Sequence, residues 1–178
     1  MIHSNITVVI PSFNHAQYLP NLLCAVEKIL KYNVSLYIID DCSKDTSREL
    51  IIEFKEKINN DRVTIFLKEK NMGLVDSLKQ SLNSVNTEFF YIISSDDIIN
   101  PDGFIQSLDY IKNNPNMDFY IFGALNIFSN DKQCTAYHQR HNYFFKLPYE
   151  IRKKEIFYNH PSPILLQSTI FKTNILKK

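Results

Sequence analysis

The chain has 178 residues, of which 44% are hydrophobic and 13% aromatic, a composition typical of one folded domain with an apolar core of its own. Twenty basic and 19 acidic residues are scattered and give a formal net charge of +1, so a nucleic-acid-binding protein is not expected. With three glycines and neither G-x-G-x-x-G nor G-x-x-x-x-G-K-[ST], the sequence excludes a glycine-rich phosphate loop. Three widely spaced cysteines argue against a disulfide framework or a zinc site.

The first half of the chain alternates strand and helix patterns. The β-branched run Ile6 to Ile10 predicts a strand that ends at Pro11. Apolar residues at helical spacing over 19–30 predict a helix, and Val34 to Ile39 predicts a second strand. Thr46-x-x-Glu49 has the form of a capping box and predicts the start of the second helix.

The alternation continues to about residue 122. Asn100 followed by Pro101 is a typical helix start, with an N-cap residue and a proline in the first turn. The further predicted elements are a strand over 63–67, a helix over 74–85, a strand over 89–93, a helix from 101, a strand over 119–122 and a hairpin over 126–137 that turns at 129–131. The pattern predicts the α/β class, with a mostly parallel sheet and helices on both faces. We expect a single domain over residues 1–178.

Two pairs of adjacent aspartates follow predicted strands. Asp40-Asp41 ends the run 34–39, and Asp96-Asp97 comes just after the run 89–93. Aspartate is unfavourable in strands and costly to bury, and ligands of open α/β sheets bind beyond the carboxyl ends of the strands. Carboxylates at that edge suit a hard divalent cation and a ligand with phosphate groups. The alternative is that each aspartate only caps the helix that follows it.

No targeting or membrane-spanning segment is predicted. Residues 1–5 lack the charged and apolar regions of a signal peptide, and no stretch approaches about 18 consecutive apolar residues. We therefore expect a cytoplasmic protein. The stretch 143–158 is aromatic and basic, with Arg152-Lys153-Lys154 at its centre. It is compatible with peripheral contact at the inner face of a membrane, with an acidic ligand, or with an ordinary solvated helix face.

With these features in place, the chain resembles the N-terminal, nucleotide-sugar-binding part of a family 2 glycosyltransferase with the GT-A fold, which is Rossmann-like. The motifs that carry the resemblance follow the family's order and spacing across nearly the whole chain. They are Val8 to Asn14, Ile38 to Asp45, Asn71-Met72-Gly73, Ser94 to Asp97 and Ser162 to Phe171. Each motif alone is weak, but together they are specific.

The resemblance implies a nucleotide site at the first two motifs. Pro11, Ser12, Phe13 and Asn14 would form the loop over the base and ribose of a nucleoside diphosphate sugar, for which a UDP-sugar is expected. Asp41 would accept a hydrogen bond from a ring N–H of the base, as a carboxylate can.

The resemblance also implies a cation site. Asp97 would coordinate Mg2+ or Mn2+ between the phosphates, with Asp96 directed toward the ribose or the donor sugar. Asp40 would support this site indirectly or merely cap the strand end. Where the family usually has an Arg-Asn pair, this chain has Leu78-Lys79. Lys79 would supply a cation near the diphosphate, and a plain surface lysine is the alternative.

Two further departures concern the acceptor and the catalytic base. His160-Pro161-Ser162-Pro163 stands where the family approaches its acceptor region, and His160 is a candidate contact for an acceptor or a phosphate. In inverting members the base is an acidic residue on a later segment, which would lie beyond Lys178. We therefore expect a domain truncated before the catalytic-base segment, with the catalytic residue unknown.

The leading hypothesis is an inverting, metal-dependent glycosyltransferase of polysaccharide biosynthesis. It would transfer a sugar from a nucleoside diphosphate sugar to a glycan or lipid-linked acceptor. One alternative is a truncated, non-catalytic module that binds nucleotide sugars. Another is a sugar nucleotidyltransferase, but those enzymes use a glycine-rich, basic N-terminal loop, which 11–14 is not.

Overall fold

The computed structural model describes residues 6–130, 132–158 and 165–178. In chain order its strands and α-helices are β1 (Ile6–Ser12), α1 (Leu19–Ile29), β2 (Ser35–Asp40), α2 (Ser47–Ile58), β3 (Val63–Leu67), α3 (Leu74–Ser84), β4 (Phe89–Ile92), α4 (Pro101–Asn113), β5 (Phe119–Ile121), β6 (Leu125–Ile127), β7 (Gln133–Thr135), α5 (Gln139–Lys146), α6 (Tyr149–Tyr158), β8 (Thr169–Lys172) and α7 (Thr173–Leu176). The predicted alternation of strands and helices is confirmed.

Six strands form one sheet in the order β3-β2-β1-β4-β8-β5. The first four are parallel to their neighbours, and β8 is antiparallel to β4. The strand order runs outward from β1 to β2 and β3 on one side, and β4 lies on the other side of β1. The carboxyl ends of β1 and β4 therefore border a topological switch point, where an open α/β sheet leaves a crevice for ligands.

Helices cover both faces of this sheet. On one face, Val9, Ile39, Phe90 and Ile92 belong to a buried cluster against which the partly buried side chains of α3 pack. Tyr91, which lies between Phe90 and Ile92 in β4, points to the opposite face of the sheet, and its ring lies 5.4 Å from that of Phe104 on α4. α1 packs against both α2 and α4. The predicted α/β class, with a mostly parallel sheet and helices on both faces, is confirmed.

Two local predictions at element ends were wrong. β1 does not end at Pro11 but continues to Ser12, because Pro11 pairs in register with Ile39 at the end of a parallel strand. The Thr46 side chain makes no capping hydrogen bond to α2; Asp45 accepts one from the Ser47 N–H instead, at 3.0 Å. The predicted cap of α4 is confirmed, since Asn100 Oδ1 accepts from the Gly103 N–H at 3.0 Å.

The chain divides into two compact units, one comprising residues up to 120 and from 170 onward, the other comprising 121–169. In the second unit, β6 and β7 pair antiparallel as a two-stranded sheet, which confirms the predicted hairpin. The aromatic and basic stretch forms α5 and α6, where Tyr143, Tyr149 and Tyr158 are exposed. Within the described ranges, no helix has the length and hydrophobicity needed to cross a bilayer.

Candidate functional site

Three loops meet at the carboxyl edge of β2, β1 and β4. The Asp41 N–H donates to the Ser12 carbonyl at 2.9 Å, and the Ser95 N–H donates to the Pro11 carbonyl at 3.3 Å. The loops after β2 and β4 are thus each hydrogen-bonded to the end of β1, one on either side. The structure brings both aspartate pairs to one edge of the sheet, as the parallel pattern predicts.

The loop after β1 is fastened to the loop after β2. The Asn14 N–H donates to Ser43 Oγ at 2.9 Å, and Asn14 Oδ1 accepts from the Lys44 N–H at 2.7 Å. Asn14 has a φ of 56°, a left-handed conformation that asparagine tolerates better than most residues. Phe13 is exposed beside it. Ser12 Oγ is buried, and the described part of the chain gives it no hydrogen-bond partner.

Asp40 is fully buried and stabilises the turn that directly follows it. Its carboxylate accepts hydrogen bonds from the N–H and the hydroxyl of Ser43, and Arg48 Nε lies 3.9 Å away. All these donors come from the loop after β2 and from α2. For Asp40, the geometry favours the capping interpretation.

Asp41 is 5% exposed and holds the loop 71–73 in place. Its two oxygens accept from the Met72 N–H at 3.0 Å and the Gly73 N–H at 2.7 Å. Gly73 has a φ of 84°, a conformation that favours glycine, and α3 begins directly after it. Burial tends to raise the pKa of Asp41, but the two N–H groups and the ammonium of Lys68 together hold that pKa below its ordinary value of 3.8.

A pH dependence of stability follows from this lowered pKa. A carboxylate with a depressed pKa stabilises the fold above its unfolded-state pKa, and this stabilisation is lost as the pH falls through the folded-state value. We expect the free energy of unfolding to fall steeply below about pH 4, near the unfolded-state pKa of an aspartate, and to fall less steeply in Asp41→Asn. Urea titrations between pH 3 and pH 7 measure both slopes. The exposed Glu53 provides the control, since Glu53→Gln should keep the wild-type slope; an Asp41→Asn slope equal to that of the wild type would contradict the assignment.

Lys68 is a component of the site that the sequence patterns did not single out. Its side chain is almost fully buried, and Nζ contacts Asp41 Oδ1 at 3.0 Å, Asp76 Oδ1 at 2.6 Å and Ser77 Oγ at 2.8 Å. Burial tends to lower the pKa of Lys68, but Asp76 and Asp41 outweigh it and raise the pKa. The predicted cation, Lys79, lies further along α3 with an exposed side chain. Its role at a diphosphate stays a prediction.

Asp96 and Asp97 lie in a tight turn after β4. The Asp97 N–H donates to the Ser94 carbonyl at 3.1 Å, and Asp96 Oδ1 accepts from the Ser94 hydroxyl. The Asp96 side chain is 46% exposed, whereas Oδ2 of Asp97 is shielded from solvent. Burial, and after it the negative charge of Asp97, raise the pKa of Tyr91.

The donor set fits a cation that is shared with a ligand. Among the described residues, no group of three His, Cys, Asp or Glu side chains is arranged to hold a metal ion by itself. Mg2+ is usually bound by one or two carboxylates together with phosphate oxygens and water, rather than by an all-protein cage. Asp97, with Asp96 beside it, supplies carboxylates of that kind at the switch point.

His15 is a second residue that the sequence patterns missed. His15 Nδ1 and Ser95 Oγ share a hydrogen bond at 2.7 Å, and Nδ1 lies 3.8 Å from Asp96 Oδ1. The backbone N–H of His15 donates to Ser47 Oγ at 3.1 Å. His15 thus contacts the loop after β4 through its ring and the first residue of α2 through its backbone N–H.

One pocket of the structure does not coincide with the predicted site residues. A pocket of about 350 Å³ is lined by residues 86–88, 172–174 and 177, none of which belongs to the predicted site. The segment His160-Pro161-Ser162-Pro163 and the first residues of the motif 162–171 are outside the described residues. The end of that motif forms β8, which pairs with β4.

The sheet is thus that of an open α/β protein, and two carboxylate-bearing loops border its switch point. The model of the family Glycosyl transferase family 2 matches residues 7–174, and this chain belongs to that family. The family membership that the motifs predict is thus confirmed.

Individual relatives are distant. Glycosyltransferase GlyA of Streptococcus pneumoniae is 28% identical over 102 residues, which cover 57% of this chain and 14% of the relative. The crystal structure of S. aureus TarS 1-349 in complex with UDP-GlcNAc is 20% identical, with a TM-score of 0.71 over 97% of this chain and 46% of that chain. The mannosyltransferase PcManGT from Pyrobaculum calidifontis, in complex with GDP-Man and Mn2+, is 16% identical, with a TM-score of 0.58 over 65% of this chain and 34% of that chain. The fold is therefore that of the GT-A TarS structures, and this chain spans less than half of each of these relatives.

Proposed function

We propose that this chain binds a nucleoside diphosphate sugar, most favourably a UDP-sugar, together with Mg2+ or Mn2+. It does so as the donor-binding part of an inverting glycosyltransferase whose acceptor is a glycan or a lipid-linked glycan. The observation that carries the proposal is that the loop of Asp41 and the loop of Asp97 are each hydrogen-bonded to the end of β1, one on either side. The TarS structure with UDP-GlcNAc and the mannosyltransferase structure with GDP-Man and Mn2+ support it.

The nucleoside end of the donor is assigned to Asp41 and the loop 11–14. A carboxylate has about four acceptor positions, and Asp41 uses three of them for Met72, Gly73 and Lys68. One position remains for a ring N–H of the base. The buried hydroxyl of Ser12, the last residue of β1, and the exposed ring of Phe13, the first residue of the loop after it, are further contacts for the base and ribose.

The diphosphate end is assigned to Asp97, which would hold the cation through its carboxylate. When bound, a divalent cation offsets the negative charge that builds up on a departing nucleoside diphosphate. Asp96 is more exposed than Asp97 and is available to a hydroxyl of the ribose or the donor sugar. Lys79 offers an exposed ammonium from α3 for a phosphate oxygen.

A thermal-shift panel tests this function. Uridine, guanosine and adenosine diphosphates and UDP-GlcNAc are each added with and without Mn2+. We expect the uridine ligands with Mn2+ to give the largest increase in Tm, and Mn2+ alone to give little, because the cation site needs phosphate oxygens. A panel in which no nucleotide raises Tm would overturn the proposal.

Replacing Asp41 with alanine tests the assignment of the base. The variant should lose about 1.5–3 kcal/mol of UDP-binding free energy without metal, the usual value of a hydrogen bond to a charged group, and should lose less for ADP. Calorimetric titration measures both. The control is Asp76→Asn, which disturbs Lys68 but leaves Asp41 in place. An equal loss for UDP and ADP would show that Asp41 acts only by supporting the loop 71–73.

A further inference from the structure

His15 joins the two halves of the proposed donor site. It directly follows the loop 11–14, which is assigned to the nucleoside. Its ring reaches across to Ser95, which precedes Asp96 and lies two residues before Asp97, the residue assigned to the cation. The two residues are 80 positions apart in the chain, so the hydrogen bond at 2.7 Å is a tertiary contact between the two loops.

Each partner in this contact is held on its other side. The His15 N–H is bonded to Ser47 Oγ, and Ser47 is fully buried at the start of α2. Ser95 is fully buried, and its own N–H is bonded to the end of β1. A displacement of His15 therefore reaches the turn 94–97 through Ser95, because the hydrogen bond joins the two side chains and Ser95 is buried and bonded to the end of β1.

The histidine itself is only partly buried. Its side chain is 30% exposed, and its ring meets that of Tyr18 edge-on at 5.8 Å. A ring that only filled space in the core would be shielded from solvent. His15 instead lies at the open edge of the sheet, with Nδ1 directed at Ser95 and within 3.8 Å of Asp96.

We propose that His15 is a positioning residue that couples nucleotide binding to cation binding, an inference that rests on the proposed donor site. A nucleotide that contacts residues 11–14 fixes His15, which fixes Ser95 and with it the turn that presents Asp97. Such coupling is reciprocal: the cation tightens nucleotide binding by the same factor by which the nucleotide tightens cation binding. His15 itself touches neither the nucleotide nor the cation in this role.

The atom that matters is Nδ1, and this distinguishes two conservative variants. The side-chain amide of asparagine places a nitrogen or oxygen at the same number of bonds from Cβ as Nδ1 of histidine. In glutamine the amide lies one carbon further out. We expect His15→Asn to retain the hydrogen bond to Ser95, and His15→Gln and His15→Ala to lose it.

The experiment measures the UDP dissociation constant with and without saturating Mn2+ in each variant. The coupling factor is the ratio of the two constants, and such factors are typically about 5- to 150-fold. We expect His15→Ala and His15→Gln to bring the coupling factor close to one, a reduction of at least about 5-fold from a wild-type value in that range. UDP binding without metal should change little. His15→Asn should stay near the wild type. The control is Gln17→Ala, which alters an exposed neighbour in the same loop and should leave the factor unchanged.

A double-mutant cycle keeps the test independent of general damage to the fold. If the coupling passes through the His15–Ser95 hydrogen bond, Ser95→Ala should lower the factor as His15→Ala does, and combining the two should lower it no further. Full wild-type coupling in His15→Ala would overturn the inference, and so would additive losses in the double variant. If Mn2+ has no effect on UDP binding in the wild type, the proposed cation site fails as well. If Mn2+ tightens UDP binding equally in the wild type and in the His15 variants, the proposed function stands and this inference fails.

Discussion

Asp97→Asn is expected to abolish the extra stabilisation that Mn2+ gives to the nucleotide-bound protein. At about 100 times its dissociation constant, a ligand that binds only the folded state raises the free energy of unfolding by about 2.7 kcal/mol. In the wild type with UDP and Mn2+ at such concentrations we expect a gain of that size. In Asp97→Asn the protein should keep only the smaller gain that UDP gives without metal, since an amide is a weaker ligand than a carboxylate for a hard cation.

The measurement is the Tm of each variant with UDP, with and without Mn2+, together with the unfolding free energy of the free protein. The second quantity shows that the substitution leaves the fold intact. Asp102→Asn is the matched control, because Asp102 is an exposed aspartate in the first turn of α4, beyond the loop that carries Asp97. An unchanged Mn2+ increment in Asp97→Asn would remove Asp97 from the cation site.

Lys68→Met is expected to cause the largest loss of stability among the substitutions considered. Lys68 is 6% exposed and its ammonium lies between Asp41 and Asp76. Removing one partner of a buried ion pair leaves the other charge buried without compensation, at a cost of about 3–5 kcal/mol. Asp41 would be the buried charge that loses its ion-pair partner and keeps only the Met72 and Gly73 N–H groups, because Asp76 is more exposed to solvent.

Chemical denaturation of the free protein measures this loss. Lys70→Met serves as the control, because Lys70 lies two residues further along the same loop with an exposed side chain. An exposed substitution of this kind usually changes stability by less than about 0.5 kcal/mol. Equal losses in the two variants would show that the ammonium of Lys68 contributes little to the stability of the site.

Local sequence patterns were sufficient to predict the elements of the sheet and the edge at which the site lies. The strand over 63–67 and the cap at Asn100 have the predicted positions, because alternation, helical spacing and cap chemistry are properties of neighbouring residues. The common edge of Asp41 and Asp97 also followed from the sequence. Both residues come after strands of a βαβ pattern, and the carboxyl ends of parallel strands face the same way.

The network that holds these carboxylates was decided by the tertiary structure. No local pattern indicates that Lys68 folds inward onto Asp41, because that contact requires β3 to lie beside β2. Thr46 had the form of a cap, but Asp45 took that place and also holds the Ala16 N–H of another loop. A hydrogen bond between loops selects whichever side chain the folded geometry brings within reach.

The contact between His15 and Ser95 shows most clearly what local sequence patterns could not predict. The sequence determined that each residue follows a strand, but the strand order brought β1 next to β4 and so placed the two loops in contact. Helical and strand periodicity arises from interactions within a few residues. A contact across 80 positions depends on the pairing of β1 with β4, and therefore only the tertiary structure could assign these two residues to one site.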